Sequence, residues 1–220
     1  FYEPKDIVSG DFYWFTEKNG RLVLAAVDCT GHGVPGAFMS LIGNDKLTRA
    51  VNEQELLDPR QILEYVEYSM YAIFKETDKD DTNTDGMEMS VCTFDYRRNK
   101  FLFAGAHRPV YYVRDGVLTE VKGKPYGIGG MPSQRSEKVF ETEELPLPQG
   151  DMLYMFTDGI VGQFNGETGK KYMSLRFKTF LSSIAQYPCE RQRELLSEEF
   201  LNWLKGGRQT DDVMVIGMRI

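Results

Sequence analysis

The sequence predicts an α+β protein in which antiparallel sheets lie in the middle and helix pairs lie outside. Two observations carry that prediction: three hairpin signals spread over 220 residues, and two blocks of helical periodicity set among them. A third disfavours the main competitor, because strands do not alternate singly with helices as a doubly wound parallel sheet requires.

The first hairpin is "WFTEKNGRLVLAAV", with Asn19-Gly20 between two apolar runs. Its second strand runs into "VDCTGHGVPGAFMS", which reaches Asp28 and then breaks into three glycines and a proline. Glycine lets backbone come close to something, and Pro35 with Gly36 suits a turn that opens a helix at Ala37. Helical spacing covers Ala37 to Val51 and then Pro59 to Lys75, where Ile62, Val66, Met70 and Ile73 with Phe74 recur three and four apart. The second hairpin, "VCTFDYRRNKFLFAGA", turns through Arg97 to Lys100, and the third, "VYYVRDGVLTEV", turns at Asp115-Gly116. Alternation at Val113, Val117 and Thr119 suits half-buried strands, whereas "LVLAAV" and "MLYMF" are continuous apolar runs expected of strands covered on both faces. A second helical block spans Ser174 to Ala185 and Arg191 to Leu204, with Leu195, Leu196, Phe200 and Leu204 in step.

With 41% hydrophobic residues the chain can bury one sizeable core, so a single domain over 1–220 is expected. The net charge of −7 and the lack of a basic tract exclude nucleic acid or an anionic membrane as the main partner. Cys29, Cys92 and Cys189 are too scattered for a disulfide framework or a CxxC site and read as free thiols of a reducing compartment. No apolar run approaches a membrane span. The start without methionine, close to patterned sequence, reads as a domain cut from a longer protein.

Aspartates recur at strand ends. Asp11 opens the first strand, Asp28 closes "LVLAAV", Asp158 follows "MLYMF", and Asp211 and Asp212 precede "VMVIGMRI". An Asp beside a Gly is often only a turn residue. If the strand ends converge, the carboxylates repel unless a cation neutralises them, and oxygen-only donors favour magnesium or manganese over zinc or copper. "DTNTDGMEMSVC" has the first half of an EF-hand loop in Asp81, Asn83, Asp85 and Gly86, but its twelfth position is Cys92 where glutamate is needed, so a solvated loop is expected. "GIGG", Gly127 to Gly130, reads as a flexible loop near the site.

Five motifs, "SGDFYWF", "VDCTGHGVPGAFMS", "FAGAHRPVYY", "GDMLYMFTDGI" and "TDDVMVIGMRI", occur in the order and at about the spacing of the SpoIIE-type metal-dependent protein phosphatases of the protein phosphatase 2C-like family. The sequence resembles that family over nearly its whole length, and "KDIVSGDFYWF" resembles its sensor-linked, SiaA-like branch. The resemblance implies a four-layer αββα sandwich, with two central mainly antiparallel sheets flanked by helix pairs. It implies two divalent cations, Mn2+ or Mg2+, bridged by Asp28, with the backbone carbonyl of Cys29 on one of them. Asp158 and Asp211 would complete the other ion's shell, and Asp11 would lie at the first, partly through water. Catalysis would then run through Asp28, Asp158 and Asp211 by way of a metal-bound water. Asp212, His32, His107 and Arg108 are further candidates. Eukaryotic relatives carry a proposed general acid two residues after the bridging aspartate, where this chain has Thr30; His32 lies two further on.

The helix after the glycines has an apolar face of Phe38, Leu41, Ile42 and Leu47, for which core packing is expected. In the family the matching helix is a regulatory switch, which makes Ala37, Phe38, Leu41 and Ile42 a candidate regulatory surface coupled to Asp28. The implied activity is that of a serine/threonine phosphatase, and the implied substrate is a small phosphorylated regulatory protein such as an anti-sigma-factor antagonist. An upstream sensor in the same chain and a homodimer are further implied partners, and the implied location is a cytoplasmic domain of a parent anchored in the inner membrane. A partner-binding module without catalysis and a small-molecule phosphoesterase are the rival readings.

Overall fold

A computed structural model describes residues 1–77, 85–130 and 138–220. Two antiparallel sheets are stacked between two helical layers. The six-stranded sheet has β2 (Phe12–Lys18), β3 (Arg21–Cys29), β4 (Gly86–Asp95), β5 (Lys100–Ala106) and β9 (Glu143–Leu145) in that order, with β8 (Ile128–Gly129) paired to β4. The five-stranded sheet runs β1 (Tyr2–Glu3), β11 (Val213–Arg219), β10 (Met152–Phe156), β6 (Val110–Arg114) and β7 (Val117–Val121). Helices α1 (Gly33–Thr48) and α2 (Pro59–Thr77) cover the first sheet, and α4 (Ser174–Ile184) and α5 (Cys189–Leu204) cover the second; α3 (Gly159–Gly162) is a single turn after β10.

Period-two geometry explains why "LVLAAV" and "MLYMF" are apolar throughout. In β3, Val23, Ala25 and Val27 pack toward α1 and α2, while Ala26 joins the layer between the sheets. In β10, Met152, Tyr154 and Phe156 meet Phe177, Leu181 and Phe200 of the outer helices, and Leu153 and Met155 face Phe101, Phe103 and Met214 between the sheets. The three hairpin turns fall where predicted, with Asn19-Gly20 and Asp115-Gly116 both at positive φ.

Three expectations are corrected. Helix α1 starts at Gly33 rather than Ala37, so Pro35 lies within its first turn, where a missing N–H removes no hydrogen bond; a π-helical turn, Arg49–Glu53, completes the segment. The face of α1 that packs inward is Gly36, Met39, Gly43 and Leu47, whereas Phe38 and Leu41 are 64% and 67% exposed and Ile42 is half-buried. Glycine explains the error: a Cβ on Gly43 would come within 2.9 Å of the Phe12 ring, so the helix sits closest to the sheet through residues that a count of apolar side chains ignores. Finally, Ile128 and Gly129 are not loop but strand, paired with Met87 and Gly86. In the EF-hand-like stretch, residues 81–84 lie outside the described residues, and Gly86 to Cys92 belong to β4.

No helix among the described residues is long and apolar enough to cross a membrane.

Candidate metal centre

Strand register brings the carboxylates together. Phe12 pairs with Val27, which sets Asp11 opposite Asp28 at the end of the β2–β3 ladder, and Asp28 in turn pairs directly with Glu88 on β4. In the other sheet Thr157 N donates to Met214 O and Met214 N donates to Thr157 Oγ1, so Asp158 and the Asp211-Asp212 pair leave that ladder at the same end. The two ends meet where Asp158 N lies 3.5 Å from Asp28 Oδ2. Glycines make the approach possible: a Cβ on Gly36 would fall 2.2 Å from Gly31 O and 2.9 Å from Gly10 Cα, so the turn after Asp28 and the segment before Asp11 pack main chain against main chain. The Cys29 carbonyl lies beside this contact, 3.3 Å from where a Gly10 Cβ would be.

The charges are crowded and poorly compensated. Burial, and then the charge of Asp28, pushes the Asp11 carboxyl up to about 9. Burial also raises Asp28, to about 7, against the lowering effect of Arg108, with Asp158, Glu88 and Asp211 adding to the rise. Asp211 is raised by burial and by Asp158 and Asp212. Asp11 Oδ2 is buried without a hydrogen-bond partner. An orphaned carboxylate oxygen among like charges is what a bound cation would resolve, and the all-oxygen donor set suits Mg2+ or Mn2+. Asp11, Asp28, Asp158, Asp211 and the Cys29 carbonyl offer the donor type that the family resemblance implies, while among the described residues their side chains do not close into a ready-made ion cage.

The further candidates separate. Asp212 is buried and accepts hydrogen bonds from the backbone N–H of Lys5 and of Gly10, both 2.8 Å, which fastens the N-terminal segment beside the cluster. His32 stands at the start of α1 and turns to that segment, its Nδ1 2.9 Å from Asp6 Oδ2 and its Nε2 2.8 Å from Lys5 Nζ. A lysine ammonium has no acceptor, so His32 Nε2 accepts from Lys5 and Nδ1–H donates to Asp6. Thr30 is engaged as well: its Oγ1 accepts from Gly86 N at 3.1 Å. His107, in the left-handed region at φ 65°, is exposed and lies 3.8 Å from Glu88 Oε1. Arg108 turns inward: its Nη2 is 2.7 Å from Asp28 Oδ2, 2.6 Å from Glu88 Oε2 and 3.3 Å from Asp158 Oδ2. Sequence reasoning missed Glu88, Lys5 and Asp6. For Glu88 a signal existed, one charged residue inside the apolar strand "GMEMSVC", and its register opposite Asp28 gives it meaning.

Two stacked antiparallel sheets between helix pairs, with carboxylates gathered at one end of both, define the class of protein phosphatase 2C-like domains. Within that class the chain belongs to the Stage II sporulation protein E (SpoIIE) family, which residues 18–220 match. The SiaA-PP2C domain of Pseudomonas aeruginosa is similar at 29% identity and a TM-score of 0.89, over all of this chain and 84% of that one. The phosphatase domain of Bacillus subtilis SpoIIE with a fragment of its regulatory domain gives 20% identity and a TM-score of 0.75, and this chain spans 61% of that one. The RsbU and RsbW domains of a Mycobacterium tuberculosis protein give 23% identity and a TM-score of 0.72, over 58% of that chain. At these identities the last two speak for the fold alone. No curated protein sequence matches the chain.

Proposed function

We propose that the chain is a metal-dependent protein serine/threonine phosphatase that hydrolyses a phosphomonoester on a small regulatory protein. The observation that carries this reading is that Asp11, Asp28, Asp158 and Asp211 come from two separate sheets to one end of the sandwich, where Asp28 feels the charges of Asp158 and Asp211, Asp11 feels that of Asp28, and Asp11 Oδ2 is buried without a partner. Family membership supports the phosphatase chemistry, and the acidic, oxygen-only donors support two divalent cations. When bound, such ions supply positive charge for the phosphoryl oxygens and an acidified water as nucleophile.

The chain's own residues would hold the ions and shape the surroundings. Asp28, near the end of β3 and 3.5 Å from Asp158 N of the other sheet, would be a ligand, with the Cys29 carbonyl next to it in the chain. Asp158 and Asp211 approach from the opposite sheet, and Asp11 from the end of β2. Asp212 acts indirectly, because its two backbone contacts fix the segment that leads into Asp11. Lys5 and His32 form a polar pair at the edge of the centre, near enough for the Lys5 charge to act on Asp211. They are candidates for contact with the phosphoprotein.

A net charge of −7 disfavours tight binding of a bare phosphopeptide, so the partner is recognised through its folded surface. Exposed Val34, Phe38 and Leu41 on α1, directly after the Asp28 turn, offer apolar contact and support a regulatory role for that helix. A sensor segment upstream in the same chain is part of this reading.

Hydrolysis of p-nitrophenyl phosphate by the purified chain, with and without Mn2+, beside Asp211→Ala, tests the proposal. Metal-dependent turnover that vanishes in the variant is expected. Equal turnover in the variant overturns it.

A further inference from the structure

Arg108 is bound in a way that a guanidinium does not favour. Arginine usually meets a carboxylate as a planar fork, two parallel N–H groups on two oxygens. Here a single nitrogen, Nη2, faces three carboxylates, Asp28 at 2.7 Å, Glu88 at 2.6 Å and Asp158 at 3.3 Å. One Nη carries two hydrogens, so three acceptors cannot all be served. The shortfall is visible: Glu88 Oε2 has no directed donor, and Arg108 Nε, on a side chain only 11% exposed, is buried with no acceptor. Several oxygens around one positive centre is the arrangement of a spherical ion, not of a fork. Among the described residues no three acidic, histidine or cysteine groups converge tightly enough to hold an ion as they stand.

We propose that Arg108 is a built-in counter-cation that competes with the divalent ion for Asp28 and Asp158, so that loading the centre displaces a guanidinium. The inference rests on the metal-centre reading above and concerns how that centre is regulated. The backbone beneath Arg108 is fixed: His107 N donates to Lys124 O and Lys124 N donates to Gly105 O, both 2.8 Å. A Cβ on Gly105 would fall 2.2 Å from Arg108 O, so the turn is closely seated on its neighbour. Displacement is therefore a side-chain movement. Glu88, one-third exposed on the His107 side, is the carboxylate left to receive Arg108 once Asp28 and Asp158 turn to the ion. In the metal-free state the same contacts hold the two sheet ends together against repulsion.

The test is Mn2+ binding by calorimetry to the metal-stripped chain, beside Arg108→Ala and Arg108→Gln, with circular dichroism to verify folding and thermal melts with and without metal. Both variants are expected to bind Mn2+ about tenfold or more tightly, because an internal positive charge within contact distance is gone. Their melting temperature is expected to fall without metal and to recover with saturating Mn2+. Equal or weaker Mn2+ binding by the variants, with the wild type binding normally, overturns the inference and leaves the metal centre standing. A wild type that binds no Mn2+ overturns both. If neither variant folds, the Arg108 Nε–H resonance of the wild type decides: a shift on saturation with Mg2+ is expected, and an unmoved signal overturns the displacement.

Discussion

Strand β6 has an arginine near each end, and the two are built differently. Arg114, at its C-terminal end, offers Nε at 3.0 Å and Nη2 at 2.8 Å to one carboxylate oxygen of buried Asp151, and Nη2 also donates to the Pro146 carbonyl. Arg108, just before its N-terminal end, meets three carboxylates through one nitrogen and leaves Nε without an acceptor. At Arg114 one positive charge is paired with one buried carboxylate and both Nε and Nη2 have acceptors; at Arg108 negative charge is in excess and polar atoms are orphaned. A balanced pair closes an end of the sandwich. An unbalanced one marks the end at which the proposed cation would bind.

Four substitutions probe that contrast. The largest effect is expected from Asp28→Ala: loss of metal binding and of several kcal/mol of transition-state stabilisation, about 10²–10³-fold or more in phosphatase rate, with the fold intact by circular dichroism. An active variant would break the assignment of the Arg108 end. Next is Gly36→Val, whose side chain would collide with the main chain at Gly31 and Gly10. Overpacking of this kind costs about 1–3 kcal/mol, so a melting temperature lower by roughly 5 °C is expected, together with weaker Mn2+ binding. Asp151→Ala removes the balanced pair at the far end. A fall of about 4 °C in melting temperature with unchanged Mn2+ affinity is expected, and a change in affinity would blur the distinction between the two ends. The smallest effect belongs to Phe38→Ser: with Phe38 exposed on α1, stability within about 0.5 kcal/mol of the wild type is expected in a denaturant melt.

The layers were legible because hairpin turns and apolar periodicity are local signals, and the strand-end aspartates were legible because they punctuate those runs. The inward face of α1 was not, since Gly36 and Gly43 present no side chain to count and their role lies in the closeness they permit. Glu88 was hidden for a different reason: a lone acidic residue in an apolar strand acquires a role only when the register sets it opposite Asp28. Arg108 was visible as a candidate, but its setting among three carboxylates depends on β3, β4 and the β10–α3 junction meeting in space. Asp212 is adjacent to Asp211 in sequence, and its burial and the backbone N–H groups of Lys5 and Gly10 that it accepts from set its surroundings apart.

The contact between Gly10 N and Asp212 Oδ2 joins residues 202 positions apart, and β11, the last strand, lies between β1 and β10 rather than at a sheet edge. On a ribosome working at 5–20 residues per second, about 10–40 s separate the appearance of these two residues. During that interval the growing chain has Asp11 and Asp28 but neither Asp211 nor the strand that carries its sheet to completion. On the proposed function, a nascent chain would have no complete centre with which to capture metal or phosphoprotein, and a product ending before β11 is expected to be silent instead of partly active.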